Sequence, residues 1–264
     1  MANRVRERHR TSAATGAPAS DRSTGRLPYR LADDVFLCLA NQRYVFLDLR
    51  RDQYLSLNRR NTDRVIALFS GSDTVVSEAP EERSIKGCDK TERVVQTLID
   101  KGILVATSES GKVVEVTTVD TPESALLVEG KDYKPVIRLR HWIMFLQASV
   151  KASWKLRFYS MKRTVESIDR RKQRRNKSYP VEHETLQQLL AIFHRLRPFY
   201  ARKYLCLFDS LALIEFLAYY RLYPQWVFGV VAEPFGAHCW VQNDRYVLND
   251  RLEYVRGYTP IMVV

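Results

Sequence analysis

The most constraining feature of this chain is the segment YLCLFDSLALIEFLAYYRLYP, Tyr204–Pro224. Its middle is apolar nearly all round, so a helix formed there has no side to turn to water and must be buried. Three runs rich in β-branched and aromatic residues follow it, at Trp226–Ala232, Ala237–Gln242 and Tyr246–Leu248. The chain is therefore predicted to pack a buried central helix on an antiparallel sheet, which is an α+β arrangement.

Two further helical patterns come before the buried helix. One runs through His141–Met161, and the other runs through Thr185–Leu196, where the apolar residues fall on one face. Pro198 limits the second of these helices. We therefore predict a C-terminal α+β domain over residues 134–264, with the buried helix at its centre.

The strand signals of the N-terminal part fall within residues 28–107. Three short β-favouring runs stand at Val35–Leu39, Tyr44–Leu49 and Tyr54–Leu57, with turn-forming pairs between them. Because only three runs are present, the third is expected to be a sheet edge that can accept an added strand.

Helical patterns complete this N-terminal module. One is expected over Asp63–Phe69, and a second has Val94, Val95, Leu98 and Ile99 on one face and ends before Gly102. Three strands plus helices in about 80 residues predict a small winged-helix-like module.

Two segments lack these patterns. Residues 1–27 are rich in Arg, Ser, Thr, Ala and Gly without apolar periodicity, which predicts a disordered basic arm. Residues 108–133 are acidic and are interpreted as a linker, with one candidate strand at Val113–Val119.

Composition excludes several classes of protein. No run approaches the roughly 20 apolar residues that a membrane span needs, and no apolar signal core follows the basic N-terminus. Paired spacing is absent among the four cysteines, which argues against a zinc ribbon or a disulfide framework; they are Cys38, Cys88, Cys206 and Cys239. A cytoplasmic protein with free thiols and no metal is expected.

The charge is concentrated in residues 138–177, which hold thirteen Lys/Arg and two acids. Its densest part is Arg170–Lys177. Nucleic-acid binding is one interpretation. A solvated, partly mobile basic face is the interpretation we favour, and such a face could also attract an acidic peptide or a partner protein.

The stretch GAHCWVQNDRYVLND indicates a hairpin around Asn243-Asp244. With a three-residue loop centred on Asp244, His238 and Asp250 stand opposite each other, with Cβ atoms roughly 4.5–5.5 Å apart. A carboxylate at that distance can accept a hydrogen bond from the imidazole. A two-residue loop without a bulge would shift the register and separate them. The alternative is an exposed His and a turn-end Asp without a joint role.

Cys206 stands at the start of the buried helix, where the helix dipole favours a thiolate. A thiol nucleophile needs a base, and the base needs a group that orients it. Cys206, His238 and Asp250 are therefore a candidate catalytic triad. Alternatives stay open: Cys206 as an ordinary buried thiol, and Asp209 as a local cap partner. Cys239 is the competing thiol, and on a strand it points to the face opposite His238, which predicts a structural role.

The motifs YLCLFDSLAL, GVVAEPFGAHCWVQ and YVLND, in this order, resemble those of the lasso peptide leader peptidases, often called B proteins. These belong to the transglutaminase-like cysteine peptidase superfamily, and the resemblance covers residues 185–260 well and 134–184 loosely. It implies a transglutaminase/papain-like domain with Cys206 as nucleophile, His238 as base and Asp250 as its orienting group. The Cys206 N–H is a natural oxyanion donor; the sequence does not identify a second one.

The N-terminal module resembles the PqqD-like leader-recognition domain, or RiPP recognition element, that some members carry. The resemblance implies that this module binds the leader of a ribosomally made precursor peptide as an added strand. The edge Tyr54, Leu55, Ser56 and Leu57 would pair with it, and Val94 and Leu98 would line the groove unless they are simply core, which we favour for these two.

The resemblance further implies a bacterial cytoplasmic enzyme whose partner is an asparagine synthetase-like cyclase. That cyclase uses ATP to close the lasso ring on the new amine; no P-loop is present here, so no ATP or other cofactor is assigned to this chain. Two other classes remain open. The same site supports acyltransferases, in which an amine replaces water, and a non-catalytic basic peptide- or nucleic-acid-binding protein needs no thiol at all.

Overall fold

The computed structural model describes residues 29–58, 86–106, 119–126, 135–174 and 183–264. The predicted arm over residues 1–27, the predicted helix Asp63–Phe69 and all but Val119 of the candidate strand Val113–Val119 lie outside these ranges. Within the described ranges, none of the helices combines the length and the apolar character that crossing a membrane requires.

An antiparallel sheet of three strands lies near the start of the described chain. Its strands are β2 (Val35–Ala40), β3 (Arg43–Asp48) and β4 (Gln53–Ser56), in that order. Asn41 and Gln42 join β2 to β3 with φ of 49° and 60°. Two successive positive φ values form the tight hairpin turn that matches strand twist. The three predicted strands are therefore present, within one residue at each end.

A helix and a pair of strands are also present in the N-terminal residues that the structure describes. Helix α1 spans Lys86–Asp100 and is followed, two residues later, by Gly102, whose φ is +63°. The following N–H, that of Ile103, donates to the Leu98 carbonyl at 2.8 Å, a hydrogen bond that satisfies a carbonyl in the last turn of the helix. The sequence did not predict the antiparallel pair of β1 (Tyr29–Leu31) and β5 (Leu104–Ala106).

The helices of the C-terminal part are α2 (Leu139–Phe158), α3 (Met161–Arg174), α4 (His183–Leu196) and α5 (Cys206–Ala218), with a single 3₁₀ turn at Arg197–Phe199. Helix α5 is the predicted buried helix. The predicted helix His141–Met161 is α2 with shifted ends. The helical structure of α3 was missed, because six of its fourteen residues are Lys or Arg and its few buried residues give a weak apolar pattern.

The C-terminal sheet has five strands in the order β10-β7-β8-β9-β6. The strands are β6 (Ser124–Ala125), β7 (Gln225–Ala232), β8 (Phe235–Asn243), β9 (Tyr246–Val247) and β10 (Thr259–Val263), and a short helix α6 (Leu252–Val255) precedes the last of them. All pairings are antiparallel except β6 with β9. The predicted α+β fold, with helices packed on an antiparallel sheet, is confirmed. Strand β6 lies within the segment interpreted as a linker.

The two sheets share one hydrophobic core. Cys38, Val45 and Leu47 of β2 and β3 are buried in the same cluster as the apolar residues of α5 and β7. Ion pairs tie the same interface, with Arg43 to Glu233 at 2.5 Å. The N-terminal strands are therefore packed against the sheet that carries His238, while their other face covers α1.

Candidate active site

Cys206 is the first residue of α5 and is half-buried. Leu205 before it has extended backbone, with φ −137° and ψ 126°, and its N–H donates to Asp209 Oδ2 at 2.8 Å. The carboxylate of Asp209 therefore caps the chain just before the helix. This geometry places the Cys206 sulfur at the positive end of the helix dipole, which favours a thiolate.

A buried arginine holds the loop that leads into Cys206. The Arg197 side chain donates through Nε to Asp209 Oδ1. The rest of its guanidinium donates to three loop carbonyls, at 3.1 Å to Tyr200, 3.1 Å to Arg202 and 3.2 Å to Lys203. Sequence reasoning considered Asp209 but missed Arg197, because nothing in its local pattern separates it from a surface arginine.

His238 and Asp250 are in direct contact. The distance from His238 Nε2 to Asp250 Oδ2 is 2.5 Å. Since this nitrogen is engaged, Nδ1 is the one left for the thiol, and His238 is within hydrogen-bonding reach of Cys206. The structure thus brings together the three predicted residues.

The hairpin between them has a different loop from the predicted one. Gln242 pairs with Val247 and Asn243 pairs with Tyr246, so the loop is the two residues Asp244 and Arg245. The predicted three-residue loop is wrong. In the observed register, continued pairing would not have placed Asp250 opposite His238.

A bend after β9 explains how Asp250 reaches His238 despite the two-residue loop. Regular pairing ends where the Leu248 N–H donates to the Val241 carbonyl at 2.8 Å. Beyond it the Asn249 side chain replaces a strand neighbour, since its Oδ1 accepts from the Val241 N–H at 2.7 Å and its Nδ2 donates to Ser210 Oγ at 2.9 Å. Asn249 anchors the bend, and the bend carries Asp250 to the imidazole. Sequence reasoning missed Asn249.

Cys239 contacts the Cys206 sulfur as well. Its thiol and its backbone N–H are both within hydrogen-bonding reach of Cys206, although His238 points to the opposite face of β8. Cys206 is therefore within reach of residues from both faces of β8. Cys239 is buried and, as predicted, its side chain lies on the face of β8 opposite His238. Its structural role stays a prediction, and the sequence analysis did not anticipate its hydrogen bonds to Cys206.

The electrostatics of the site favour an ion pair. Hydrogen bonds from Cys239 and from His238 lower the pKa of Cys206 to about 4, against the opposing effect of burial. Burial opposes the charged form of His238, yet hydrogen bonds to Asp250 and Cys206 raise its pKa to about 9. Between these values the site holds a thiolate and an imidazolium, which is the reactive form of a thiol nucleophile.

Aromatic rings surround the imidazole. The ring of Tyr254 lies 4.9 Å and that of Tyr258 lies 5.2 Å from the His238 ring, centroid to centroid. Gly229 is paired with His238 across β7 and β8, and a Cβ there would lie 2.8 Å from the Trp240 ring and 2.9 Å from Tyr258 Cβ. Only glycine lets these rings approach the strand.

The edge strand β4 comes close to this site. The rings of Tyr54 and Phe235 are 5.5 Å apart, centroid to centroid. Burial is the main cause that raises the pKa of Tyr54, and the nearby thiols of Cys239 and Cys206 add to it. The first of the predicted leader-contacting residues therefore lies beside the catalytic candidates.

The other predicted leader-contacting residues have mixed surroundings. Ser56 is exposed, and Leu55 and Val94 are half-buried at the margin of the N-terminal core. Leu57 and Leu98 belong to that core. Their part in leader binding stays a prediction.

Among the residues that the structure describes, no group of His, Cys, Asp and Glu side chains is arranged to hold a metal ion. A thiolate beside an oriented imidazolium can attack a carbonyl and form a thioester, with the imidazolium as the proton donor.

The helices packed on an antiparallel sheet therefore carry a Cys–His–Asp arrangement formed by Cys206, His238 and Asp250. The sequence profile of the transglutaminase-like superfamily matches residues 148–263, so this part of the chain is a transglutaminase-like domain. That superfamily includes cysteine proteases with a Cys–His–Asp triad. Comparison with curated proteins and with solved structures gave no match.

Proposed function

We propose that this protein is a cysteine peptidase that removes the leader from a ribosomally synthesised lasso precursor peptide. The observation that carries the proposal is the contact set of Cys206, His238 and Asp250, with the His238 Nε2 to Asp250 Oδ2 distance of 2.5 Å. The resemblance of the surrounding motifs to lasso leader peptidases supports the choice of substrate.

The first half of the reaction forms an acyl-enzyme. The Cys206 thiolate attacks the carbonyl carbon of the scissile bond, and the carbonyl oxygen becomes an oxyanion. The Cys206 N–H, which has no acceptor within its own helix, is available to stabilise this oxyanion. His238 then gives its proton to the leaving amine, which departs as the new N-terminus of the core peptide.

The second half restores the enzyme. Neutral His238 accepts a proton from water, the resulting hydroxide attacks the thioester, and the leader leaves with a free carboxylate. Asp250 holds the imidazole orientation through both halves and stabilises the imidazolium, as a triad acid does.

The proposed route of the leader uses β4. Within the described ranges β4 is an edge of its sheet, and an extended peptide can add to such an edge through main-chain hydrogen bonds. The contact of Tyr54 with Phe235 at 5.5 Å supports a short path from that edge to Cys206. Tyr54, Leu55, Ser56 and Leu57 would then bind the leader, close to the bond that is cut.

The proposal includes a partner and a compartment. An asparagine synthetase-like cyclase would take the new amine and use ATP to close the ring, in the cytoplasm of a bacterium. This chain would hold no cofactor of its own.

The test is a cleavage assay with the full chain and the precursor encoded beside its gene, followed by mass spectrometry. Two products whose masses sum to that of the precursor plus one water support the peptidase. Cys206→Ala should abolish cleavage and still bind the leader, whereas Cys38→Ala, a buried thiol in the core, should retain cleavage.

Other outcomes would redirect the assignment. A product joined to an added amine, with loss of ammonia or of a peptide, would make the protein an acyltransferase. Activity that survives Cys206→Ala, or binding to nucleic acid that falls steeply with salt, would place it in the non-catalytic class.

A further inference from the structure

Six large apolar side chains are exposed in one row along α2. They are Leu139, Ile143, Leu146, Val150, Trp154 and Phe158, and each is between 43% and 76% exposed. Steps of three and four residues keep them on one face of the helix, over a length of about 28 Å. We name this row the α2 stripe.

The fold itself does not need the α2 stripe. The opposite side of α2 supplies Phe145, Ala148 and Ala152 to the main core, all fully buried. Single exposed apolar residues are ordinary, but a continuous exposed row of large ones marks a surface that binds something.

Further rings widen the surface. Trp154 and Phe158 lie 4.4 Å apart, centroid to centroid. Next to the helix, the exposed ring of Phe199 lies 4.9 Å from the half-buried ring of Trp142. The apolar surface therefore has a width of more than one side chain and ends in aromatic groups.

The surroundings of the stripe are positively charged. Helices α2 and α3, from Leu139 to Arg174, hold ten Lys/Arg and two acids, and α2 has no acid at all. Arg140, Lys151 and Arg157 are exposed on α2. The Arg157 guanidinium lies 5.5 Å from the centre of the Phe158 ring, so cation and apolar surface are in contact.

Acids from inside and outside these two helices pair with some of the cations. Glu215 pairs with Lys151, Lys155 and Arg171, and Asp34 pairs with Lys162; Arg140 and Arg157 are not among these pairs. Glu166 lies 3.8 Å from both Lys162 and Arg170. Asp169 accepts a hydrogen bond from Gln173 at 2.7 Å.

We propose that the α2 stripe is a membrane-surface site that binds bilayers containing anionic lipids, with α2 lying in the plane of the interface. Large apolar and aromatic side chains on one face and cations beside them are the features by which amphipathic helices bind such surfaces. The apolar row would enter the boundary between head groups and acyl chains, and the cations would meet the lipid phosphates.

The charge around the α2 stripe argues against two other occupants, a second copy of the chain and a single protein partner. A second copy would set one acid-free, basic helix against another, which like charges oppose. A single protein partner would need acids at matching positions, whereas the cations here are spread over two successive helices. A continuous layer of negative head groups fits that spread. The proposal holds whatever reaction the Cys206 site performs.

The experiment is flotation of the full chain with vesicles of phosphatidylcholine alone, and with vesicles that also contain about 30% phosphatidylglycerol. We expect binding to the anionic vesicles, weak binding to the neutral ones, and weaker binding at high salt. Trp154 is the one tryptophan among the large exposed apolar residues in the part of the chain that the structure describes, and its fluorescence should shift to shorter wavelength on binding.

Two double variants and one control variant test whether lipid binding depends on the α2 stripe. Ile143→Ser with Val150→Ser should lower the partition coefficient about tenfold or more, and Arg140→Gln with Arg157→Gln should lower it about tenfold on anionic vesicles alone. Leu39→Ser removes an equally exposed leucine on β2 and should change nothing. Because all these side chains are exposed, thermal unfolding should show folded variants.

Three results would overturn the proposal. Failure of the full chain to float with anionic vesicles would leave a protein partner as the occupant. Binding that the Ile143/Val150 variant does not weaken would place the lipid contact elsewhere. A sedimentation mass of two chains that falls to one in that variant would identify a second copy.

Discussion

Arg197 and Asp209 form an ion pair next to the loop that leads into Cys206. Asp209 uses its other oxygen to hold the Leu205 N–H at 2.8 Å, and Arg197 uses its remaining donors on the carbonyls of the same loop. One pair of residues therefore fixes both the loop and the start of the helix. The position of the nucleophile depends on this anchor and not on the triad alone.

Arg197→Lys should weaken the anchor while keeping its charge. An ammonium group cannot reproduce the fork that reaches Asp209 and three carbonyls together, so we expect a loss of about 2 kcal/mol of unfolding free energy. Alkylation of Cys206 by iodoacetamide should also slow. Arg245→Lys is the matched control, since Arg245 pairs with Glu123 at the exposed surface and should cost less than about 1 kcal/mol. Equal effects of the two variants would contradict the anchor.

The thiol should react as a thiolate across a wide pH range. Because the pKa of Cys206 is lowered to about 4 and that of His238 is raised to about 9, the alkylation rate should rise through about pH 4 and stay high at neutral pH. Cleavage should fall above about pH 9, where His238 loses the proton that the leaving amine needs. Asp250→Asn removes a cause of the raised His238 pKa, so its alkaline limb should move to lower pH. A thiol that titrates near its ordinary value would exclude the ion pair.

Cys239 should tune the nucleophile. Its contact is the largest cause of the lowered Cys206 pKa, so Cys239→Ala should move the pH profile of alkylation to higher pH. Cys239→Ser keeps a hydrogen-bond donor at the same place and should restore part of the shift. A purely structural cysteine would instead change the unfolding temperature in both variants and leave the pH profile where it is.

The buried carboxylate of Glu215 should be a stability element remote from the reaction. It lies 2.7 Å from Lys151, 2.8 Å from Lys155 and 2.6 Å from Arg171. Glu215→Gln leaves the nearly buried Lys155 without its counter-ion, so a loss of about 3 kcal/mol is expected in chemical unfolding. Glu123→Gln, in an exposed pair, should cost less than about 1 kcal/mol. Similar losses would show that the buried network is not special.

The contribution of the Glu215 carboxylate to stability should depend on pH in the acid range. Burial acts against the charged form, but Arg171 and Lys155 lower the pKa of Glu215 to about 2. A lowered folded-state pKa means that its contribution is complete above the ordinary value of 4.5 and is lost as pH falls through about 2. The stability difference between the native chain and Glu215→Gln should therefore shrink over that interval, and a constant difference would contradict the assignment.

Gly229→Ala should disturb the imidazole from across the sheet. The added Cβ would lie 2.8 Å from the Trp240 ring and 2.9 Å from Tyr258 Cβ, and overpacking of this kind costs about 1–3 kcal/mol. Since Tyr258 also contacts His238, cleavage should fall more than stability explains. Gly236→Ala is the control, because its nearest neighbour would be 3.9 Å away. If both variants cleave equally well, the close approach at Gly229 has no role in the site.

Local periodicity accounts for the parts of the fold that the sequence predicted. The all-round apolar character of Tyr204–Pro224 identified α5, and alternating or β-favouring runs identified β2 to β4, β7 and β8 within a few residues. Such patterns are set by side chains only a few positions apart. Helix α3 was not predicted because its local pattern is weak. Its buried residues Thr164, Val165 and Ile168 are few among many charged ones.

The amino-acid sequence by itself determined a buried helix with a cysteine at its start, a strand with a histidine after it, and an aspartate beyond the next turn. Tertiary structure decided how they meet. The bend anchored by Asn249, not hairpin register, brings Asp250 to His238. The packing of β8 beside α5 places Cys239 within hydrogen-bonding reach of the Cys206 sulfur. Contacts between residues tens of positions apart depend on how whole elements pack, and no local pattern encodes that distance.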